Sequence, residues 1–164
     1  MKIDRILEWL QATPVAKAIS ENEILFPWIE SVHVLAIVLV VGTILIVDLR
    51  LLGVASLDRA VSRLMRDVLP YTWGAFVIAA ITGSLMFSSD AVNYAHNFFF
   101  RGKLILLMLA GLNMAVFHVA GIGDVAHWGI TKQTPLPAKA AAVVSLLVWI
   151  TVVAFGRGIG FTMH

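Results

Sequence analysis

The sequence predicts an all-α fold: a four-helix transmembrane bundle with an amphipathic N-terminal helix at the membrane interface. Three observations predict it. The 164-residue chain is 60% hydrophobic and only 13% charged, where a soluble domain carries about 25% charged residues. Its mean hydropathy is +0.91. Four runs are long and apolar enough to span a bilayer, which takes about 20 residues, and they are continuously apolar rather than alternating, so they read as helices and not as barrel strands. The length permits one integral membrane domain, residues 1–164. The absence of cysteine excludes disulfides, thiolate metal sites, iron–sulfur clusters and covalently attached haem. A net charge of +2 gives no argument for nucleic acid.

The first element is residues 2–12. Ile3, Ile6, Leu7 and Leu10 recur at helical spacing, with Lys2, Asp4, Arg5, Glu8 and Gln11 opposite. That pattern predicts an amphipathic helix, lying on the membrane or packed on the end of the bundle. Residues 1–23 lack the apolar centre and cleavage site of a signal peptide. Thr13 followed by Pro14 predicts the cap of a second short helix. The first span is expected over 27–52, opening at Pro27 and Trp28. Residues 57–69 place Leu57, Val61, Leu64, Met65 and Val68 on one face and Arg59, Ser62, Arg63 and Arg66 on the other. They predict an amphipathic loop helix capped by Ser56. The second span is expected over 70–87, starting at Pro70, where a proline costs no hydrogen bond. The third is expected over 103–122. The fourth, preceded by Pro135 and Pro137, is expected over 138–161.

Four spans put both termini on one side. Lys17, Arg101, Lys103 and Arg157 fall on that side, against Arg50, Arg59, Arg63, Arg66, Lys132 and Lys139 on the other. The excess marks the loop side as cytoplasmic and the termini as periplasmic. Small residues four apart predict close helix contacts at Ala75, Ala79 and Gly83, at Gly111 and Ala115, and at Ala138 and Ala142.

Ionisable groups inside a membrane are costly, so each is a functional candidate. His33 lies on the first span and His118 on the third, with Asn113 near the third's centre. Neutral imidazoles on separate membrane helices suggest haem b ligation. Gly111, two turns before His118, would let a flat macrocycle approach the backbone. If the spans alternate in direction, His33 and His118 sit roughly 16 Å apart along the bundle axis, so they do not share one iron. Second ligands would then be Met86 or His96 for His33, and His127 for His118. The plain alternative for each histidine is a hydrogen bond across helices. Asp48 and Arg50 are expected at the interface, with Arg50 reaching to the headgroups. Arg157 is expected to pair with Glu30, or to form a cationic rim for a haem propionate. No H-E-x-x-H, P-loop or G-x-S-x-G motif occurs, so hydrolase readings have no support.

Pro27-Trp-Ile-Glu-Ser-Val-His33 opens the first span and Asp48-Leu-Arg-Leu-Leu-Gly53 closes it. Phe100-Arg-Gly-Lys103 precedes the helix with Asn113 and His118, and Gly156-Arg157 lies near the end. This pattern resembles a family of uncharacterised four-helix bacterial inner-membrane proteins over nearly the whole chain. In helix count and intramembrane histidines the chain is also similar to b-type cytochromes of the cytochrome b561 and copper-resistance D kind. The expected function is therefore a multi-pass inner-membrane haem b protein, passing electrons to or from quinone or a partner redox subunit. Two rivals stand beside it. One is a small transporter or channel, lined by His33, Asn113 and His118 and needing a homo-oligomer to make a pore. The other is a cofactor-free membrane anchor subunit.

Overall fold

A computed structural model of the chain describes residues 2–119 and 134–162. The described chain forms α1 (Lys2–Gln11), α2 (Pro14–Glu21), α3 (Leu25–Leu52), α4 (Val61–Ser89), α5 (Ala91–His96), α6 (Phe98–Val119) and α7 (Leu136–Thr162). Helices α3, α4, α6 and α7 are each long and apolar enough to cross a membrane, making this a multi-pass protein.

The N-terminal helices fold onto one end of the bundle. Thr13 caps α2, accepting from the Ala16 N–H at 3.4 Å, and Pro14 takes the first turn. Ala16 and Ile19 are buried where α2 packs on α4 and α3. Helix α1 lies against α5 and α4. Gln11 Nε2 donates to Asp90 Oδ1 at 3.1 Å, and His96 meets Asp4 at 3.4 Å. Leu7 and Leu10 are half-buried beside Asp4 and Gln11 and Ile3, Ile6 and Trp9 remain exposed, so α1 docks on a mixed face and leaves three apolar side chains for lipid.

Helix α3 begins two residues before Pro27. Asn22 Oδ1 accepts from the Ile24 and Leu25 N–H groups at 2.9 and 3.0 Å. It ends on Gly53, whose φ of 78° is left-handed, with the Val54 N–H returning to the Leu49 carbonyl at 2.9 Å. The next boundary corrects the sequence reading. No separate loop helix precedes Pro70. Ser56 sits in a turn with φ 55° rather than at a cap, Ala60 takes the extended N-cap position, and α4 runs as one helix of 29 residues through Pro70. Val61 and Leu64 are buried on its first turns. That contact holds the helical phase across the single backbone bond that Pro70 forfeits, a loss tolerated in membrane helices.

Residues 91–96, unassigned from sequence, form α5. The third span starts at Phe98, not Lys103, because the Asn97 side chain accepts from the Phe100 N–H at 3.1 Å. Arg101 and Lys103 are thus inside its first turns. The Phe100 ring stacks on Phe87 of α4 at 5.2 Å and meets Tyr94 edge-on at 5.4 Å.

Two antiparallel hairpins, α3–α4 and α6–α7, join through α3 and α7. The helix order across the molecule is α4, α3, α7, α6. Thr43 and Thr72 hydroxyls bridge α3 and α4 at 2.9 Å, and Asn113 Nδ2 of α6 donates to the Ala141 carbonyl of α7 at 3.1 Å. At the loop end Leu51, Val61, Phe117, Ala138 and Ala142 form a buried cluster. Two of the expected small-residue contacts are seen there and on α4, where Ala75 is buried and Gly83 touches α3. Gly111 instead faces open space, with nothing within 4 Å. Val38, Leu39, Met108 and Leu112 are among many exposed apolar side chains, which lipid solvates at no cost.

Candidate functional site

The polar side chains of the spans gather at two levels. At the terminal end, His33 projects from α3 onto α4. Its Nδ1 lies 2.9 Å from Thr82 Oγ1. The Thr82 hydroxyl donates to the Ile78 carbonyl at 2.7 Å, so it accepts from His33, and Nδ1 carries the proton. The Ala79 carbonyl is also within reach of the ring. The imidazole lies over Gly83, where an added Cβ would stand 3.0 Å from His33 Cε1 and 3.8 Å from Nε2. An alanine there would fit only if the ring gave way by a few tenths of an ångström. Lys103 of α6 is within electrostatic reach of His33.

The expected Glu30–Arg157 pair does not form. Glu30 is exposed, and no salt bridge among the described residues joins the two. The Arg157 guanidinium sits over the Phe161 ring at 5.3 Å instead. Neither sequence alternative is needed to place it. Tyr94 is buried between α4 and α6. Burial pushes its hydroxyl above its ordinary titration range, and the Glu30 and Asp90 carboxylates add to that. His96 lies outside the spans and faces Asp4. Met86 is half-buried on the last turns of α4.

At the loop end, His118 is exposed on α6. Its Nδ1–H donates to the Met114 carbonyl at 2.8 Å, which leaves Nε2 with the lone pair. Phe117 beside it points inward to the buried cluster. His33 and His118 therefore occupy opposite ends of the bundle, in line with the axial separation expected from sequence. His127 lies outside the described residues. Among the described residues, no group of three or more His, Asp or Glu side chains comes together.

Asp48 and Arg50 correct a second expectation. Both are 5% exposed, and neither reaches the surface. Arg50 Nε donates to the Arg59 carbonyl at 2.8 Å, so the guanidinium ties α3 to the loop rather than to headgroups. Asp48 points the other way, toward Ser145 on α7, and its Oδ2 has no hydrogen-bond partner among the described residues. Sequence reasoning placed Asp48 at the surface because it is four residues from the helix end. Its burial comes from α7, whose register on α3 no local pattern encodes. Thr82 was also missed as the partner of His33. Its spacing of three and seven from Ala79 and Ala75 placed it beside the small-residue stripe.

An open groove, mostly apolar, runs between α2 and α4, lined by Leu10, Thr13, Ala80, Ile81, Ser84 and Ser88. The Ser84 and Ser88 hydroxyls are spent on carbonyls of their own helix, so the groove offers no charged anchor.

The chain matches a family of unknown function, DUF6644, over residues 12–162. It belongs to that family. No curated protein and no solved structure matches it.

Proposed function

We propose that the protein is an integral inner-membrane b-type haem protein that passes electrons to or from quinone or a partner redox subunit. The observation that carries this reading is the His118 imidazole. Its Nδ1–H is held by the Met114 carbonyl, which fixes the ring and leaves Nε2 free on an exposed face. A backbone acceptor on the far nitrogen is how metal-binding histidines are oriented. Gly111, two turns earlier, has open space where a side chain would stand, room for a flat group against the backbone.

His33 does not fit the same role in the arrangement seen. Its ring is pressed on Gly83 and bonded to Thr82. A macrocycle set across its Nε2 would run into α4. His33 serves as a clasp between α3 and α4, and His96 is occupied outside the spans by Asp4. The residues that would hold haem are thus His118, with Met114 and Gly111 shaping its surroundings. When bound, haem supplies one-electron chemistry at a potential set by its ligands and burial. The apolar face of α6, with Leu112, Val116 and Val119 exposed, would keep that site dry in lipid.

The test is the visible spectrum of protein purified after expression with added haem precursor. A Soret band is expected in the wild type, lost in His118→Ala and kept in His33→Ala. A colourless wild type, or a band that vanishes with His33 and survives loss of His118, would sink the reading.

A further inference from the structure

We propose that Asp48 is a proton-exchanging carboxyl, forming with Ser145 a proton site inside the loop-side half of the membrane. This does not rest on the haem reading and holds with or without a cofactor.

The argument starts from burial. Asp48 is 5% exposed on the seam where α3 meets α7, four residues from the end of α3. One carboxyl oxygen, Oδ2, has no hydrogen-bond partner among the described residues. Ser145 on α7 supplies the facing hydroxyl. Arg50 is closest in sequence and equally buried, but it lies on another face of α3 and is committed to the Arg59 carbonyl. Among the described residues, the other charged or titratable groups near this end are Asp58, Arg59, Arg63, Arg66, Asp67 and His118, all exposed, and Lys139 on α7. None of them faces the Asp48 carboxyl. Asn113 of α6 is spent on the Ala141 carbonyl, one turn before Ser145.

A carboxylate in that setting has lost water and, among the described residues, gained no counter-charge, which is the costly case. A carboxylic acid there is far cheaper. Ser145 suits both forms, because a hydroxyl can donate to the carboxylate or accept from the acid O–H. The site can therefore change protonation without rearranging its helices. A proton from water on the loop side forms an O–H bond at a carboxyl oxygen of Asp48 and leaves by the same route. A metal cation fits less well. The facing oxygens are those of Asp48 and Ser145, too few to replace a hydration shell.

The experiment uses the wild-type protein in liposomes with dicyclohexylcarbodiimide, a lipid-soluble reagent that attacks protonated carboxyls and leaves a stable adduct. Peptide mapping resolves which acidic residue is modified. The expected result is an adduct on Asp48, with a yield that falls about tenfold per pH unit once the acid has titrated. Asp48→Asn should lose that adduct, and Ser145→Ala should move the pH midpoint. Mapping on the wild type keeps the test valid if Asp48→Asn fails to fold. No adduct on Asp48 at any pH, or a yield indifferent to pH, would overturn the proposal. Protection by sodium at constant pH, relative to choline, would assign the site to a metal cation and overturn it equally.

Discussion

Thr82 illustrates how one hydroxyl can serve two helices. It satisfies its own turn through the Ile78 carbonyl and still accepts from His33. Replacing it by valine keeps the volume and removes the acceptor. Thr82→Val should destabilise the α3–α4 pair by about 1 kcal/mol, within the range measured for hydrogen bonds between membrane helices. Denaturant titration of the protein in mild detergent would check this, and an unchanged midpoint would mean that His33 is not held there. His33 itself was legible in the sequence, as an imidazole in an apolar run. Its partner was not, because the pairing of residue 33 with residue 82 depends on helix register. The same holds for Asp48 and Ser145. A lone polar residue announces itself in a chain this apolar, while its partner is decided by packing across helices far apart in sequence.

Elements were easier to read than their ends. The four spans stand where mean hydropathy puts them, yet all four starts lie outside the expected ones. Asn22 and Asn97 set two of them by side-chain caps, and neither Pro27 nor Lys103 marks a boundary. The largest shift was at Pro70, where a residue that ends helices in water is carried inside α4. Gly53 shows the opposite case, a position where one residue type is needed. Its φ of 78° is unfavourable for any residue with a Cβ, although no atom lies within 4 Å of where that Cβ would be. Gly53→Ala should therefore cost about 1 kcal/mol from backbone strain alone. The loss should appear as a lower thermal midpoint with the helix content of the folded state unchanged. No loss would mean that the turn can re-form without the left-handed residue.

For the whole molecule, the chain crosses the membrane as two hairpins, so Ser20 and Ser89 lie at one end and Ser62 at the other. In this cysteine-free chain, single Ser→Cys variants report that directly. Membrane-impermeant maleimide should label residues 20 and 89 from one side of sealed vesicles and residue 62 from the other. Labelling of residues 62 and 89 from the same side would break the arrangement. The seam between the hairpins also fixes an order in time. Helix α3 must wait for α7, the last span to be made, before its inner face is covered. Ser145 leaves the ribosome about a hundred residues after Asp48, roughly 5 to 20 s later at ordinary rates of synthesis. During that interval the first hairpin sits in the bilayer with its carboxyl turned toward lipid or the insertion machinery. Biosynthesis therefore passes through a half-built protein whose most expensive group is unsheltered, and a proton on that group is what would let the nascent chain wait.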